Sequence, residues 1–201
     1  MFQNHRNSRG FTLVEMAIVL IVIGVILGMV FKGRQLIDSA KVKSLEANYN
    51  KIMTAVDTFY DRYGFYPGDG CTTDNSTSVS SCTGTKDGQL STAEEQSSFW
   101  TLLKSLGYLS DAETKTPNGS SWGIAYNSGL TPKGNWLKGN LDRRYICDID
   151  RRIDDGKSSS GKIQTSGTGN DYDTTATSNP TDCWALSGTT GDNKGLFYLF
   201  P

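Results

Sequence analysis

The stretch Gly10–Phe31 decides the fold, and it reads GFTLVEMAIVLIVIGVILGMVF. From Phe11 onward every residue is apolar, glycine or threonine, with the exception of the carboxylate of Glu15. A helix needs about 20 predominantly apolar residues to cross the hydrocarbon core of a bilayer, and residues 11–31 meet that length. The sequence therefore predicts a transmembrane helix over 11–31 that keeps one acid close to its start.

A short hydrophilic leader, residues 1–10, precedes the apolar stretch. It contains Arg6 and Arg9 and no acidic residue, which predicts that it stays in the cytoplasm. An ordinary secretory signal is cut after its apolar core. Here the candidate cut, between Gly10 and Phe11, comes before that core, so that cleavage would leave the hydrophobic helix on the mature chain.

The charge balance argues against a basic nucleic-acid surface. The full chain has 20 basic and 21 acidic residues, and loss of the leader would remove Arg6 and Arg9. The mature chain would then carry a net charge of about −3 by simple counting. It would also contain no histidine, because His5 is the only one in the sequence.

The helical pattern continues beyond the membrane segment, over residues 32–64. Apolar residues recur there at three- and four-residue steps, which predicts an amphipathic helix. No proline occurs before Pro67, so one helix is expected from Phe11 to about Tyr63, ended by Gly64 and the following Pro67. The residues on the apolar face are Leu45, Tyr49, Ile52, Val56, Phe59, Tyr60 and Tyr63.

Residues 65–201 are predicted to form a globular head. A second helix is expected from Ser91 to about Leu106, with Ser91 and Glu94 as a capping box and Gly107 at its end. Ile146, Ile149 and Ile153 have helical spacing and predict a short third helix. Polar stretches, residues 71–86 and 166–180, are expected to be surface loops. The strand candidates are Trp122–Tyr126, Gly161–Thr165 and Leu196–Phe200.

The four cysteines all fall in the head, and an even number in an oxidising compartment favours two disulfides. Three pairings are open. We favour Cys71 with Cys82, because the polar loop between them needs a crosslink, and Cys147 with Cys183 by elimination. The alternative is a four-cysteine zinc site, which usually shows ligand pairs two to four residues apart that this sequence lacks.

The residues Gly10, Phe11, Thr12, Leu13, Val14 and Glu15, followed by an uncharged apolar stretch, resemble the class III signal of type IV pilins and type II secretion pseudopilins. The resemblance covers Arg9 to about Phe31, and the long helix and the segment Tyr60–Asp69 are similar to pseudopilins as well. It implies an α+β fold in which a long N-terminal helix packs on a small antiparallel sheet. The chain departs from many major pilins in having no proline in the apolar run.

The resemblance also implies a processing pathway and a set of partners. Gly10 would be recognised by a prepilin peptidase, and Phe11 would become the N-terminus and be methylated by the same enzyme. Glu15 would serve assembly with other pilin or pseudopilin subunits on an inner-membrane platform. The chain would be a single-pass inner-membrane protein with its head in the periplasm, and later part of a periplasmic or extracellular filament.

Glu15 needs a physical reason to lie in an apolar segment. A lone carboxylate near the middle of a bilayer costs about 2.5 to 3.5 kcal/mol on insertion scales. If the Glu15 carboxylate met the Phe11 ammonium of a neighbouring subunit, both buried charges would be compensated and the axial register would be fixed. The alternative is that Glu15 only reaches the headgroup region beside its own amine.

Two glycines inside the apolar run, Gly24 and Gly28, have the GxxxG spacing. Small residues at this spacing allow two membrane helices to approach closely. We interpret them as helix-packing residues in general, because the motif is common.

A loop counted from Thr83 resembles half of an EF-hand. Asp87 stands at its fifth position and Glu94 at its twelfth, where calcium ligands are found, but threonines occupy the first and third positions. Calcium is therefore a candidate cofactor, with Asp87 and Glu94 as ligands. The alternative is that Asp87 forms a turn and Glu94 caps a helix. Further candidate ligands, if the loops converge, are Asp69, Asp74, Asp148 and Asp154.

The predicted function is that of a structural subunit, a minor pilin or pseudopilin, of a type IV pilus or a type II secretion pseudopilus. An alternative is a filament-borne binding module whose tryptophans recognise DNA, a surface or a secretion cargo. An enzyme is not expected: Ser121 lies in a G-x-S-x-G stretch, but the mature chain has no imidazole to take its proton. The tryptophans are Trp100, Trp122, Trp136 and Trp184.

Overall fold

The computed structural model describes residues 12–166, residue 183 and residues 194–201. The predicted processing residues Gly10 and Phe11 lie outside the described residues, as does Trp184. The chain divides into two compact units, with the boundary between Ala40 and Lys41. The first unit contains the apolar first part of the long helix. The second unit contains the rest of that helix, from Lys41 onward, and the head.

The first helix, α1, spans Leu13–Tyr63, and the prediction of one uninterrupted helix is confirmed over the described residues. It ends as predicted, because the backbone N–H of Gly64 donates to the carbonyl of Tyr60 at 2.8 Å and Gly64 takes a left-handed conformation with φ of 77°. Glycine adopts this conformation without the steric penalty that a Cβ would bring.

The second half of α1 presents one face to the core of the head. Leu45, Ile52 and Phe59 are fully buried, and Tyr49 is nearly so. The Tyr49 ring contacts the ring of Phe197 at 5.4 Å between centroids. The predicted apolar face is thus confirmed for most of its members, but Tyr60 is 42% exposed because it lies at the edge of that face.

The head contains a four-stranded antiparallel sheet and two further helices, so the α+β class is confirmed. The sheet order is β1-β2-β4-β3. Leu137 stands opposite Ile124 on one side and Phe197 on the other, and Phe197 stands opposite Ile163. All four side chains belong to the buried core of the head, where the ring of Phe197 contacts Tyr49 of α1. The strands are β1 (Gly123–Asn127), β2 (Gly134–Asn140), β3 (Ile163–Ser166) and β4 (Lys194–Phe200).

The strand predictions need three corrections. The predicted first strand shifts by one residue, the predicted strand at Gly161–Thr165 begins two residues later, and the last strand begins at Lys194 instead of Leu196. Strand β2 was not predicted. Residues 71–86 form the expected irregular segment apart from a short 3-10 helix at Val79–Ser81. The expected loop at 166–180 lies almost wholly outside the described residues.

The second helix, α2, spans Ala93–Ser105, and its predicted cap was wrong by one residue. Thr92 and Glu95, not Ser91 and Glu94, form the capping box. A contact with a distant part of the chain selects Glu95. Its carboxylate also accepts the backbone N–H of Gly70, in the loop after α1, at 3.3 Å. The predicted third helix is confirmed as α3, Arg143–Ile153, capped by the side chain of Asp142.

The structure contains disulfides between Cys71 and Cys82 and between Cys147 and Cys183. These are the two pairs that the sequence favours. No cysteine is free, so the alternative of a four-cysteine zinc site is excluded. The first bond closes the polar loop between α1 and α2, and the second joins α3 to Cys183.

Candidate functional site

The first half of α1 is an unburied apolar surface. Its large side chains from Leu13 to Phe31 are between 47% and 88% exposed. Within the part of the chain that the structure describes, α1 is the one helix long and apolar enough to cross a membrane, and its most apolar window has no buried share. An apolar surface of this length and exposure is typical of a segment that a membrane or another molecule covers.

Glu15 lies at the N-terminal end of this apolar surface and is hydrogen-bonded to Thr12. The backbone N–H of Thr12 donates to Oε2 of Glu15 at 2.8 Å, and the Thr12 hydroxyl donates to the same oxygen at 2.9 Å. In return, the backbone N–H of Glu15 donates to the Thr12 hydroxyl oxygen at 3.3 Å. This is a capping-box geometry, which satisfies N–H groups that have no partner within the helix.

The capping box fixes the direction of the carboxylate. Every hydrogen bond that the described residues make with the Glu15 side chain uses Oε2. Within that described set, Oε1 is left to accept from another group. A cation of an adjacent molecule could therefore bind Oε1 without dismantling the cap. The spacing of Thr12 and Glu15 is the sequence signal for this cap, which was not predicted, because Glu15 was predicted to serve assembly alone.

The glycines of the apolar helix have no packing role within the described chain. A Cβ built at Gly24, Gly28 or Gly33 meets no atom within 4 Å. The fold of the single chain therefore does not require these positions to be small. A requirement for small residues here would have to come from a helix of another molecule.

In the head, the predicted calcium ligands come together at one cavity of about 340 Å³. Asp87 and Glu94 both line it, and so does Glu95. Its remaining lining is made of glycine, threonine and disulfide-bonded cysteine: Gly70, Cys71, Thr72, Gly84, Thr85 and Thr92. Glu95 was not predicted to lie here, because the predicted cap of α2 used its neighbour Glu94.

The other candidate ligands do not all converge on this cavity. Asp74 accepts a hydrogen bond from Ser97 at 3.0 Å. Asp148 pairs with Arg152 within α3 at 2.9 Å, and Asp154 accepts the backbone N–H of Ile163 at 2.7 Å. Asp69 differs from these three, because it lies next in sequence to Gly70, which lines the cavity.

A second group of acids lies just beyond α3. The carboxylates of Asp150, Asp154 and Asp155 have oxygens within 4.8 Å of one another. Asp155 accepts the Ser160 hydroxyl at 2.6 Å and the backbone N–H of Lys157 at 3.0 Å, and these hydrogen bonds lower the pKa of Asp155. Each acid accepts backbone or hydroxyl donors from residues 156–163, and these hydrogen bonds hold the segment between α3 and β3 in place.

The described residues include three of the four tryptophans and Ser121. Trp122 and Trp136 are buried in the head, so neither is a surface for binding a ligand. Trp100 is partly buried and packs edge-on against Phe99 at 4.8 Å. Ser121 lies in a turn, where it forms an isolated bridge with Lys115. This position fits the expectation that Ser121 is not a nucleophile.

The comparisons with known proteins concern mainly the N-terminal segment. Residues 5–31 match the family model of the prokaryotic N-terminal methylation motif. No curated protein matches the chain. The chain is similar to the solved structure of the major type IV pilin PilA1 from Clostridium difficile, at 17% identity and a TM-score of 0.42, over 82% of this chain and 98% of that chain. The N-terminal segment of this chain therefore carries a prokaryotic N-terminal methylation motif.

Proposed function

We propose that the chain is a membrane-anchored structural subunit of a pilin-like filament. The observation that carries the proposal is the combination, in one helix, of the methylation motif, an unburied apolar surface and a capped Glu15. Before assembly, residues 11–31 span the inner membrane and the head lies in the periplasm. After assembly, the same apolar surface is covered by the helices of neighbouring subunits.

Cleavage between Gly10 and Phe11 creates the partner that Glu15 requires. It exposes an ammonium group at Phe11, just over one helical turn from the acid. Thr12 holds Oε2 of Glu15, and Oε1 then accepts the Phe11 ammonium of the adjacent subunit. Two charges that would each be costly in an apolar environment are thereby paired and hydrogen-bonded.

Pairing between subunits fixes the position of one helix along the other. A shift along the axis would separate the two charges in a medium of low dielectric constant, where unpaired charges are costly. The contact therefore selects one register, while the apolar side chains provide the burial. The prepilin peptidase, which would also methylate Phe11, and the assembly platform are the remaining partners in this proposal.

Mass spectrometry of the N-terminus tests the processing step. The native protein is purified from cells with and without the prepilin peptidase. We expect a chain that begins at methylated Phe11 in the first case and at Met1 in the second. A chain that keeps Met1 in peptidase-containing cells, or one that lacks the whole apolar segment, would reject the proposal.

The variant Glu15→Leu tests the assembly step. It should insert into the membrane at the wild-type level, because leucine is favourable there, but it should be absent from sheared filaments. Glu46→Gln, on the head half of α1, is the matched control and should assemble normally. Normal filament incorporation of Glu15→Leu would show that the acid is not needed for assembly.

A further inference from the structure

The sequence contains one Asn-Gly pair, formed by Asn118 and Gly119. Asparagine before glycine is chemically labile, because the backbone nitrogen of the glycine can attack the side-chain amide carbon and glycine has no Cβ to hinder the attack. Both residues are exposed, and a Cβ built at Gly119 would meet no atom within 4 Å. Water therefore reaches the pair, and the space that ring closure needs is open.

The nitrogen that would attack is held in a tight turn. The backbone N–H of Gly119 donates to the carbonyl of Thr116 at 2.8 Å, and the N–H of Thr116 donates to the carbonyl of Ser120 at 2.7 Å. Pro117 at the second position of the turn and glycine at the fourth are common in turns of this kind. The nitrogen has to lose its proton before it can attack, and a hydrogen-bonded N–H is protected from that loss until the turn opens.

The amide that would be attacked is held as well. Nδ2 of Asn118 donates to the carbonyl of Asn140, at the end of β2, at 2.8 Å. Oδ1 of Asn118 accepts the hydroxyl of Thr116 and that of Ser120, the second at 3.3 Å. Thr116 is itself only 4% exposed, so its hydroxyl has a fixed position. A rotation that brings the amide carbon against the nitrogen of Gly119 has to break these hydrogen bonds.

We propose that Asn118 is a site of non-enzymatic deamidation whose rate is controlled by the opening of this turn. In the first step the nitrogen of Gly119 gives its proton to water and forms a bond with Cγ of Asn118. The bond between Cγ and Nδ2 breaks, and Nδ2 takes a proton from water and leaves as ammonia, which gives a cyclic succinimide. In the second step water adds to one of the two ring carbonyls and breaks its bond to nitrogen, leaving aspartate or isoaspartate. No atom is oxidised or reduced, and water is the co-reactant.

The product would detach the turn from β2. A carboxylate in place of the Asn118 amide has no N–H to donate to the carbonyl of Asn140, and it brings a negative charge against that carbonyl oxygen. The same segment is also bonded to α1, because Nδ2 of Asn48 donates to the carbonyl of Lys115 at 3.0 Å. Deamidation therefore loosens a segment that has hydrogen bonds to both the long helix and the sheet.

Peptide mapping by mass spectrometry tests the site on the full-length protein in detergent, incubated in mildly alkaline buffer with and without urea. In urea we expect the peptide that contains Asn118 to gain the mass of an amide-to-acid conversion, with isoaspartate among the products. In native buffer the rate should be at least about tenfold lower, because opening the turn breaks several hydrogen bonds. Asn118→Gln is the control and should show no gain, because the longer side chain closes a ring far more slowly.

Two further variants test the hydroxyls that hold the amide. Ser120→Ala and Thr116→Val each remove one donor to Oδ1 of Asn118, so each should raise the native rate several-fold and leave the rate in urea unchanged. Ser105→Ala is the matched control, because its hydroxyl donates to the carbonyl of Thr77 instead, and its native rate should equal that of the wild type. Asn118→Asp carries the charge of the product and should unfold at a lower temperature than the wild type.

Three results would overturn the proposal. The first is the absence of any mass gain at Asn118 in urea. The second is an equal rate in native buffer and in urea, which would mean that the turn does not control the reaction. The third is a native rate in both Ser120→Ala and Thr116→Val that equals the wild-type rate. If Thr116→Val fails to fold, Ser120→Ala decides the third point, because Ser120 is only partly buried.

Discussion

The hydroxyl of Thr12 donates a hydrogen bond of 2.9 Å to Oε2 of Glu15, and the same hydroxyl oxygen accepts the backbone N–H of Glu15 at 3.3 Å. Thr12 therefore acts as a positioning residue for the acid. Replacing it with valine keeps the shape of the side chain and removes the hydroxyl. Loss of an N-cap of this kind costs about 1 kcal/mol, so we expect Thr12→Val to lower filament incorporation several-fold.

Thr12→Ser is the control for this prediction, because serine keeps the hydroxyl and should retain most of the incorporation. The measurement is the ratio of subunit in sheared filaments to subunit in the cell membrane. Membrane levels should be equal in all three proteins. Equal incorporation of the valine variant and the wild type would mean that the Thr12 contact has no part in assembly.

The glycines of the apolar helix lead to a second prediction. Because nothing lies within 4 Å of a Cβ at Gly28, Gly28→Leu should leave the stability of the head and the level of membrane insertion unchanged. It should reduce filament incorporation at least several-fold, since a large side chain prevents close helix approach. The exposed Val25→Leu is the control in the same segment. Unimpaired incorporation of Gly28→Leu would show that no neighbouring helix packs at this position.

The sequence predicts the elements whose signal is local. Helix α1 follows from its apolar periodicity and from Gly64 and Pro67 at its end. Strand β2 was missed, because its sequence GNWLKGN has two glycines and two asparagines, which are typical of turns. In the fold these residues have tertiary roles: a Cβ at Gly139 would meet the ring of Trp122, and Asn135 is buried. Neither role can be recognised before the neighbouring elements are placed.

Asn135 carries the third prediction. Its Oδ1 accepts the backbone N–H of Leu90 at 2.8 Å, and its Nδ2 donates to the carbonyl of Gly88 at 2.7 Å. Asn135 itself is fully buried. Asn135→Ala leaves the buried N–H of Leu90 and the partly buried carbonyl of Gly88 without this partner, so we expect a loss of about 2 kcal/mol in the free energy of unfolding. Denaturant unfolding followed by tryptophan fluorescence measures it.

The control is Asn127→Ala, at the end of β1, whose side chain accepts the exposed backbone N–H of Gly129 at 2.9 Å. It should cost less than about 1 kcal/mol, because water can replace the lost partner. If both variants lost the same stability, the burial of the Asn135 amide would not be the cause.

In the candidate sites, too, the features that depend on neighbouring residues could be predicted from the sequence, and those that depend on distant contacts could not. Sequence spacing placed Asp87 and Glu94 in one loop of twelve residues, and both line the same cavity. The spacing does not show which of these further acids is buried: Asp69, Asp74, Asp148 or Asp154. In the structure Asp69 is the buried one, at 2% exposed. Sequence spacing also placed the cap of α2 at Ser91 and Glu94, one residue before the observed Thr92 and Glu95. The backbone N–H of Gly70, which is distant in sequence, selects Glu95 and with it Thr92.

The ion pair between Lys51 of α1 and Glu113 gives a prediction about pH. Hydrogen bonding with Lys51, aided by the backbone N–H of Ser110 at 2.6 Å, lowers the pKa of Glu113 to about 2 from an ordinary value of 4.5. The folded state therefore holds the charged form more strongly than the unfolded state does. The resulting stabilisation is complete above pH 4.5 and is lost as the pH falls from there to about 2. Because the Lys51 side chain is 53% exposed, the contribution should stay below about 1 kcal/mol.

A double-mutant cycle with Lys51→Met and Glu113→Gln isolates this contribution, and denaturant unfolding at pH 7, pH 4 and pH 3 measures it. We expect a favourable coupling free energy at pH 7 that is smaller at pH 4 and smaller again at pH 3. Raising the salt concentration at pH 7 should also reduce it, since the pair is partly exposed. A coupling that stayed constant from pH 7 to pH 3 would show that the charge of Glu113 is not what stabilises the contact between α1 and the segment after α2.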